Sequence, residues 1–460
     1  MILKFIDREQ ELDALEAAYR STRPEFFLIY GRRRIGKTEL VKRFVEGKPH
    51  LYFMAMEQPI EQEIERLSER FSEKLDVHIE RSKDIDKVFK QMLSKLDPKK
   101  KFIIVIDEFP FWIKKHRPIL SEFQHLWDER LSGSNLFLIL LGSSVSMMED
   151  EVLSYNSPLY GRRTGQLKIE PMGPAQLKGF LPSYDLEDLI KVYGAVGGVP
   201  FYLKEFDDRK DFLENIKGTF LNKSNILYEE AEILLREELR EVTVYFNIMK
   251  AITDGATRPG EIADKAYVNI TNISKYLSTL TTLGFITKES AITEPPKMKN
   301  YLYKVSDSYF RFWLRYVYPH KEDIEEDIDG VLRRLADDLP AFMGQVFEDY
   351  CKRVLRSLET PLSKAPDLKV GRWWFGEEEI DIVAISERRK AILIAECKWD
   401  DEADALRIAK DLKRKAQIVR WNGKDRTVHY AIFARGFRKG PAPDDVELFD
   451  LKRIRKCLKV

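Results

Sequence analysis

Three stretches of the chain are apolar without interruption: Phe26–Tyr30, Phe102–Ile106 and Leu136–Leu141. A strand with one wet face alternates apolar and polar positions, so an unbroken run predicts a strand covered on both sides, as in a parallel sheet between layers of helix. Each run ends in different chemistry. Gly31 follows the first, Asp107-Glu108 the second, and Gly142-Ser143-Ser144 the third. Ahead of the first run, Leu12, Leu15 and Ala18 mark one face of a helix. Asp7 is its expected N-cap, with Gln10 three residues on. That helix is either an ordinary first element or a lid over a bound base.

The rest of the chain changes rhythm. From about Asp207 to Glu241 it is charged and helical, a lid or a connector. Val244–Ile252, Thr257–Ala263 and Asn269–Leu280 then predict three helices, and Leu283–Ile286 leads into a hairpin with Pro295–Asn300 at its tip. Helix, helix, helix, hairpin is the order of a winged helix-turn-helix. In such a domain Thr271, Asn272, Ser274 and Lys275 sit on the reading helix, and Lys297 and Lys299 on the wing. The helix carries little positive charge, so a packing role competes with DNA contact. The aromatic run Tyr309, Phe310, Phe312, Trp313, Tyr316 predicts a core. After the acidic stretch Lys321–Asp327, one helical face carries Phe342, Val346, Phe347, Tyr350, Val354 and Leu355, with Glu348 in the same helix. Three strands follow, Lys369–Phe375, Glu379–Ile385 and Ala391–Trp399.

The chemistry starts at Gly31-Arg32-Arg33-Arg34-Ile35-Gly36-Lys37-Thr38, a G-x-x-x-x-G-K-[ST] loop between a strand and the helix opened by Glu39. Glycines let backbone N–H groups converge on phosphate oxygens, and the helix aims its positive end at the same anion. Lys37 reaches the β- and γ-phosphates in such a loop, and the Thr38 hydroxyl binds Mg²⁺. Asp107 then reads as the acid that supports Mg²⁺, and Glu108 as the one that orients or deprotonates water. A polar residue at the Gly142-Ser143-Ser144 tip would sense the γ-phosphate, though turn chemistry alone also accounts for it. Arg162 or Arg163 would stabilise charge on that phosphate, in the same chain or across a subunit interface, or else sit in a solvated basic loop.

Composition narrows the classes. The chain has 460 residues, 44% hydrophobic and 33% charged, with a net charge of +1. That suits several globular domains, and it leaves nucleic-acid contact to local patches. No apolar run reaches the roughly 18–20 residues of a membrane span, and Met1–Lys4 lacks the core of a signal peptide. Cys351, Cys397 and Cys457 are scattered, which argues against zinc and disulfides and fits a reducing cytoplasm.

Asp7-Arg8-Glu9, the Gly31–Thr38 loop, Asp107-Glu108, Gly142-Ser143-Ser144, Tyr160-Gly161-Arg162 and Gly197-Gly198-Val199-Pro200 occur in that order. Together they resemble the archaeal ATPase family, P-loop proteins near the AAA+ and STAND ATPases, over about residues 1–205. The resemblance implies ATP binding, slow switch-like hydrolysis, a sensor role for Ser144 and a nucleotide-facing turn at Gly198 and Pro200.

Strand period two puts Glu396 and Lys398 on one face, where Asp381 from the paired strand would join them. Two carboxylates make a hard oxygen site for Mg²⁺, with Lys398 to act on the attacking water. Asp381, Glu396-Cys397-Lys398 and Gly371-Arg372-Trp373-Trp374 resemble the PD-(D/E)XK nuclease superfamily. More narrowly, they resemble an uncharacterised domain often fused to archaeal ATPases, over about residues 330–460. The competing readings are a salt-bridge network and a domain that binds without cutting. The expected architecture is α/β: a P-loop parallel-sheet ATPase (1–205), a helical connector (206–240), a winged helix (241–320) and a restriction-endonuclease-like domain (330–460). ATP, Mg²⁺ and DNA are the expected partners, with self-association left open.

Overall fold

The computed structural model describes residues 5–294, 301–423 and 425–458. Lys297 and Lys299 on the expected wing therefore lie outside the described residues. Packing divides the chain into two compact units, Met1–Pro171 and Met172–Val460. The division falls ahead of the Gly197–Pro200 turn.

The first unit is built on five strands: β1 (Glu25–Tyr30), β2 (His50–Met54), β3 (Phe102–Asp107), β4 (Leu136–Gly142) and β5 (Gly165–Lys168). They lie in the order β2-β3-β4-β1-β5, and every pairing is parallel. All positions of β1, β3 and β4 are buried, as their unbroken apolar runs require. On one face Ile29, Val105, Ile139 and Leu141 pack with Leu15 of helix α1 (Glu9–Arg20) and Leu40 and Phe44 of helix α2 (Lys37–Val45). The strands all point one way, so the carboxyl ends of β1, β3 and β4 deliver the Gly31 loop, Asp107 and the Ser143-Ser144 tip to one edge. That edge is where open α/β sheets bind ligands.

In the second unit, helices Val242–Thr253, Pro259–Lys265 and Ile270–Thr282 precede an antiparallel hairpin, β6 (Ile286–Ser290) and β7 (Tyr301–Val305). The following helix, Ser308–Tyr316, buries Tyr309, Phe310, Phe312, Trp313 and Tyr316. Their three polar tips all find partners: Tyr309 Oη donates to the Leu227 carbonyl at 2.8 Å, Trp313 Nε1 to that of Tyr228 at 2.7 Å, and Tyr316 Oη to Asp338 Oδ2 at 2.7 Å. These aromatics are core. A 27-residue helix, Ile328–Val354, leads to a second sheet. Its strands are β8 (Lys369–Phe375), β9 (Glu378–Ser386), β10 (Ala391–Lys398), β11 (Thr427–Ala434) and β12 (Val446–Phe449), in the order β12-β11-β10-β9-β8. β8, β9 and β10 form an antiparallel meander, and β11 and β12 add parallel to β10. Among the described residues no helix is long and apolar enough to cross a membrane.

Candidate functional site

Backbone geometry sets the first site. Gly31 has φ +152°, and a Cβ there would lie 2.3 Å from the Ile169 carbonyl oxygen. Arg34 and Gly36 also have positive φ, +69° and +93°. The loop thus turns back on itself and enters α2 at Lys37. The Ile35 side chain closes it from below, fully buried in the core around β1, while Arg33 and Glu39 face outward. Lys37 is 5% exposed. Its Nζ donates to the carbonyls of Gly31 at 2.8 Å and Arg32 at 2.9 Å, so the ammonium sits over the centre of the loop.

Asp107 ties the loop to β3. Its Oδ2 accepts from Thr38 Oγ1 at 2.9 Å and from the Tyr52 hydroxyl, and its Oδ1 accepts from the Glu108 amide at 2.9 Å. Glu108 has φ +56°, and its Oε1 accepts from Ser143 Oγ at 2.6 Å. Ser144 instead caps a short helical turn, accepting from the Met147 amide at 3.4 Å. Adjacent residues at a strand end point to opposite faces, and the sequence does not say which one faces the acid.

Arg8, not Asp7, occupies the N-cap position of α1, with φ +78° and no side-chain cap. Its guanidinium reaches the loop instead, donating to the Ile35 carbonyl at 3.3 Å and the Glu170 carbonyl at 2.6 Å. The first helix therefore braces the loop through Arg8.

Arg162 lies away from the Gly31 loop. It precedes β5, whose Gly165 pairs with Phe27, and Thr164 N donates to the Phe26 carbonyl at 2.8 Å. That is the amino edge of the sheet, while the Gly31 loop leaves the carboxyl edge. The six residues of β1 separate them by about 20 Å at roughly 3.3 Å per residue. An arginine side chain does not span that length, so Arg162 cannot serve a phosphate on its own loop. It is engaged locally, with Asp128 at 2.9–3.1 Å and the carbonyls of Pro158 and Tyr160. Arg23, Trp127, Tyr160 and Arg163 join it around an open cavity of about 520 Å³. Pro200 opens the short helix Pro200–Leu203 in the second unit. A Cβ on Gly198 would lie 1.8 Å from the Met172 carbonyl oxygen, so that glycine is required by close packing within its own unit.

A second cluster gathers in the C-terminal sheet. Asp381 on β9 accepts from the Cys397 amide at 2.8 Å. Lys398 Nζ donates to Glu396 Oε1 at 2.8 Å, and Lys415 Nζ lies 3.5 Å from its Oε2. Arg372 on β8 stands 3.7 Å from Glu348 and 3.3 Å from Glu379. Burial first, and then the neighbouring Glu396 charge, pushes the Asp381 carboxyl up to about 6. Burial and the Asp381 charge push Glu348 up to about 8. The three carboxyls repel one another, and such a group is relieved by a proton, a lysine or a cation. Among the described residues, no three His, Cys, Asp or Glu side chains are arranged as a ready metal cage. Asp349, next to Glu348, turns the other way. Burial raises its pKa, but Lys304 and Arg311 outweigh it and hold the carboxyl well below the usual range. Sequence reasoning missed Tyr52, the bond from Ser143 to Glu108, the approach of Lys415 to Glu396 and the bracing role of Arg8. All four act through contacts between elements far apart in the chain.

Comparison with known proteins agrees with the parallel-sheet fold of the first unit. An ATPase domain predominantly from Archaea matches residues 5–206, and a family of archaeal and bacterial proteins of unknown function matches residues 313–409. An uncharacterized protein of Methanocaldococcus jannaschii is 36% identical over 452 residues, covering 97% of this chain and 99% of that one. An uncharacterized ATP-binding protein of the same organism is 43% identical over 47 residues, 10% of this chain and 80% of that one. Among solved structures, a Walker-type ATPase of Pyrococcus abyssi aligns with a TM-score of 0.51 at 21% identity, covering 68% of this chain and 96% of that one. At that identity the likeness speaks to the fold.

The raised carboxyls generate a pH test. In the unfolded chain Glu348 ionises near 4.5, whereas in the fold it keeps its proton until about pH 8. Its contribution to stability is therefore greatest below pH 4.5 and falls as pH rises through that window. Glu348→Gln should raise the Tm in metal-free buffer by a few degrees at pH 8, at about 2–4 °C per kcal/mol, and change it little at pH 5. An equal shift at both pH values would remove Glu348 from the repelling cluster.

Proposed function

Because the chain belongs with the uncharacterized Methanocaldococcus jannaschii protein that it matches over 97% of its length, and its residues 5–206 match an ATPase domain predominantly from Archaea, we propose that it binds and slowly hydrolyses ATP with Mg²⁺ and uses the switch to direct a DNA-facing C-terminal half. The observation that carries the first part is the Thr38–Asp107 hydrogen bond, which joins the loop to the acid of β3. The donor set fits the nucleotide. The ammonium of Lys37 lies at the loop centre, where the first amides of α2 also converge. The Thr38 hydroxyl gives its proton to Asp107 and keeps its lone pairs for a hard cation. Thr38 and Asp107 would hold Mg²⁺, which would supply charge to offset that of the phosphates. Glu108, held by Ser143, takes the proton of an attacking water. Arg162 has no part on its own loop. A neighbouring copy would have to present the Arg162–Arg163 face for an arginine to act there.

For the C-terminal half, the proposal assigns helices Val242–Thr253, Pro259–Lys265 and Ile270–Thr282 with the β6–β7 hairpin to a winged helix. Thr271, Asn272, Ser274 and Lys275 are exposed on the third helix, as a reading face requires. Asp381 and Glu396 are assigned to a divalent cation and Lys398 to the water attacking a phosphodiester. Mutual repulsion of buried carboxyls supports this. The pairing of Glu396 with both Lys398 and Lys415 favours a second reading, an ATP-switched regulator that binds without cutting.

Two experiments test these readings. Lys37→Ala should weaken ATP binding and abolish hydrolysis. Glu108→Gln should still bind ATP while turnover drops by roughly 10²–10⁴-fold; turnover at the parental rate would remove Glu108 from water activation. Separately, plasmid and single-stranded DNA incubated with Mg²⁺ or Mn²⁺, with and without ATP, should be cut by the parent and not by Asp381→Ala, Glu396→Ala or Lys398→Ala. If the parent cuts neither and calorimetry detects no cation at this cluster, the regulator reading stands.

A further inference from the structure

Tyr52 belongs to no motif, yet it lies at the centre of the first site. It sits on β2, beyond β3 from the loop. Its ring packs against the core that holds β1, β3 and β4. Its hydroxyl leaves that core and donates to Oδ2 of Asp107, the oxygen that also accepts from Thr38. With the Glu108 amide on Oδ1, the carboxylate has three donors and is 1% exposed.

A carboxylate on a single rotatable bond turns unless both oxygens are pinned. The Glu108 amide pins one. Thr38 alone would pin the other only as well as its own side chain is held. Tyr52 comes from a different strand, with a rigid ring packed against the core, so it adds a hold on Oδ2 from outside the loop. The position of Oδ2 in turn sets the direction in which the Thr38 hydroxyl points its proton, and hence where its lone pairs face.

We propose that Tyr52 is a positioning residue for the divalent cation of this site. It holds Asp107 so that Thr38 presents its lone pairs to the metal. The inference rests on the nucleotide reading and adds a division of labour to it. Lys37, the Gly31–Gly36 backbone and the α2 amides serve the phosphates. Tyr52, Asp107 and Thr38 serve the cation. Outer partners that orient metal ligands typically change metal affinity by about 10–100-fold when removed.

Tyr52→Phe keeps the ring and deletes only the donor. The measurement is calorimetric binding of ATP to the full chain in EDTA, then at increasing Mg²⁺, with Mn²⁺ as a second probe. The parent should bind ATP in EDTA and bind it more tightly as Mg²⁺ is added. Tyr52→Phe should show the parental affinity in EDTA and need about tenfold more Mg²⁺, or Mn²⁺, for half of the tightening. Circular dichroism on the same samples reports folding. A second variant, Tyr52→Leu, also deletes the donor while keeping an apolar side chain on β2, and should shift the Mg²⁺ requirement in the same direction. A parental Mg²⁺ dependence in folded Tyr52→Phe overturns the proposal. So does an equal loss of affinity with and without Mg²⁺, which assigns the hydroxyl to general packing. If Tyr52→Phe does not fold, a parental Mg²⁺ dependence in folded Tyr52→Leu overturns it instead. A parent that binds no ATP under either condition overturns the nucleotide reading itself, and this inference with it.

Discussion

The bond between Thr38 and Asp107 is the constraint on which the first unit depends. It joins the first turn of α2 to the end of β3, two elements with no covalent reason to meet. For both groups to arrive there, β1 and β3 must run parallel with β4 between them, and their ends must be level. The buried runs of those strands supply the adhesion. Residues at their carboxyl ends then carry the chemistry, because a parallel sheet brings all such ends to one edge. A buried carboxylate without donors would be costly, and here three donors from three elements meet it.

The second cluster follows a different logic. Near Asp107 the polar groups are matched: each acid has donors that satisfy it. Around Asp381, Glu396 and Glu348 carboxyls face one another, and Lys398, Lys415 and Arg372 balance them from the sides. One helix links this cluster to a second charge network. Its Glu348 faces the strained carboxyls, while Asp349 is neutralised by Lys304 and Arg311 from β7 and the aromatic helix. Two adjacent acids on one helix thus end at opposite sides of their ordinary range, one raised and one lowered, because their surroundings differ in sign.

Much of this was legible in the sequence. The three unbroken apolar runs became β1, β3 and β4, and the loop motif lies between strand and helix as its spacing demanded. In the C-terminal half, Glu379–Ile385 and Ala391–Trp399 fell within a residue or so of β9 and β10. What escaped were facts of strand order and side-chain direction. Nothing local places β5 beside β1, and that placement is what puts Arg162 at the edge away from the loop. Nothing local decides between Ser143 and Ser144, since a single step along a strand end reverses the face. Tyr52 and Lys415 come from elements that meet their acids only through the tertiary fold. Motif reading named the residues proposed to touch a ligand and missed those that hold them in place.

Hydrogen–deuterium exchange with and without ATP and Mg²⁺ tests the central claim most directly, because it reads the loop and the β3 acid in the same experiment. The account predicts slowed exchange at the amides of residues 31–38 and 107–108, greater with Mg²⁺ than without, in the full-length parent. Exchange at those amides that stays unchanged at saturating ATP and Mg²⁺ would contradict it.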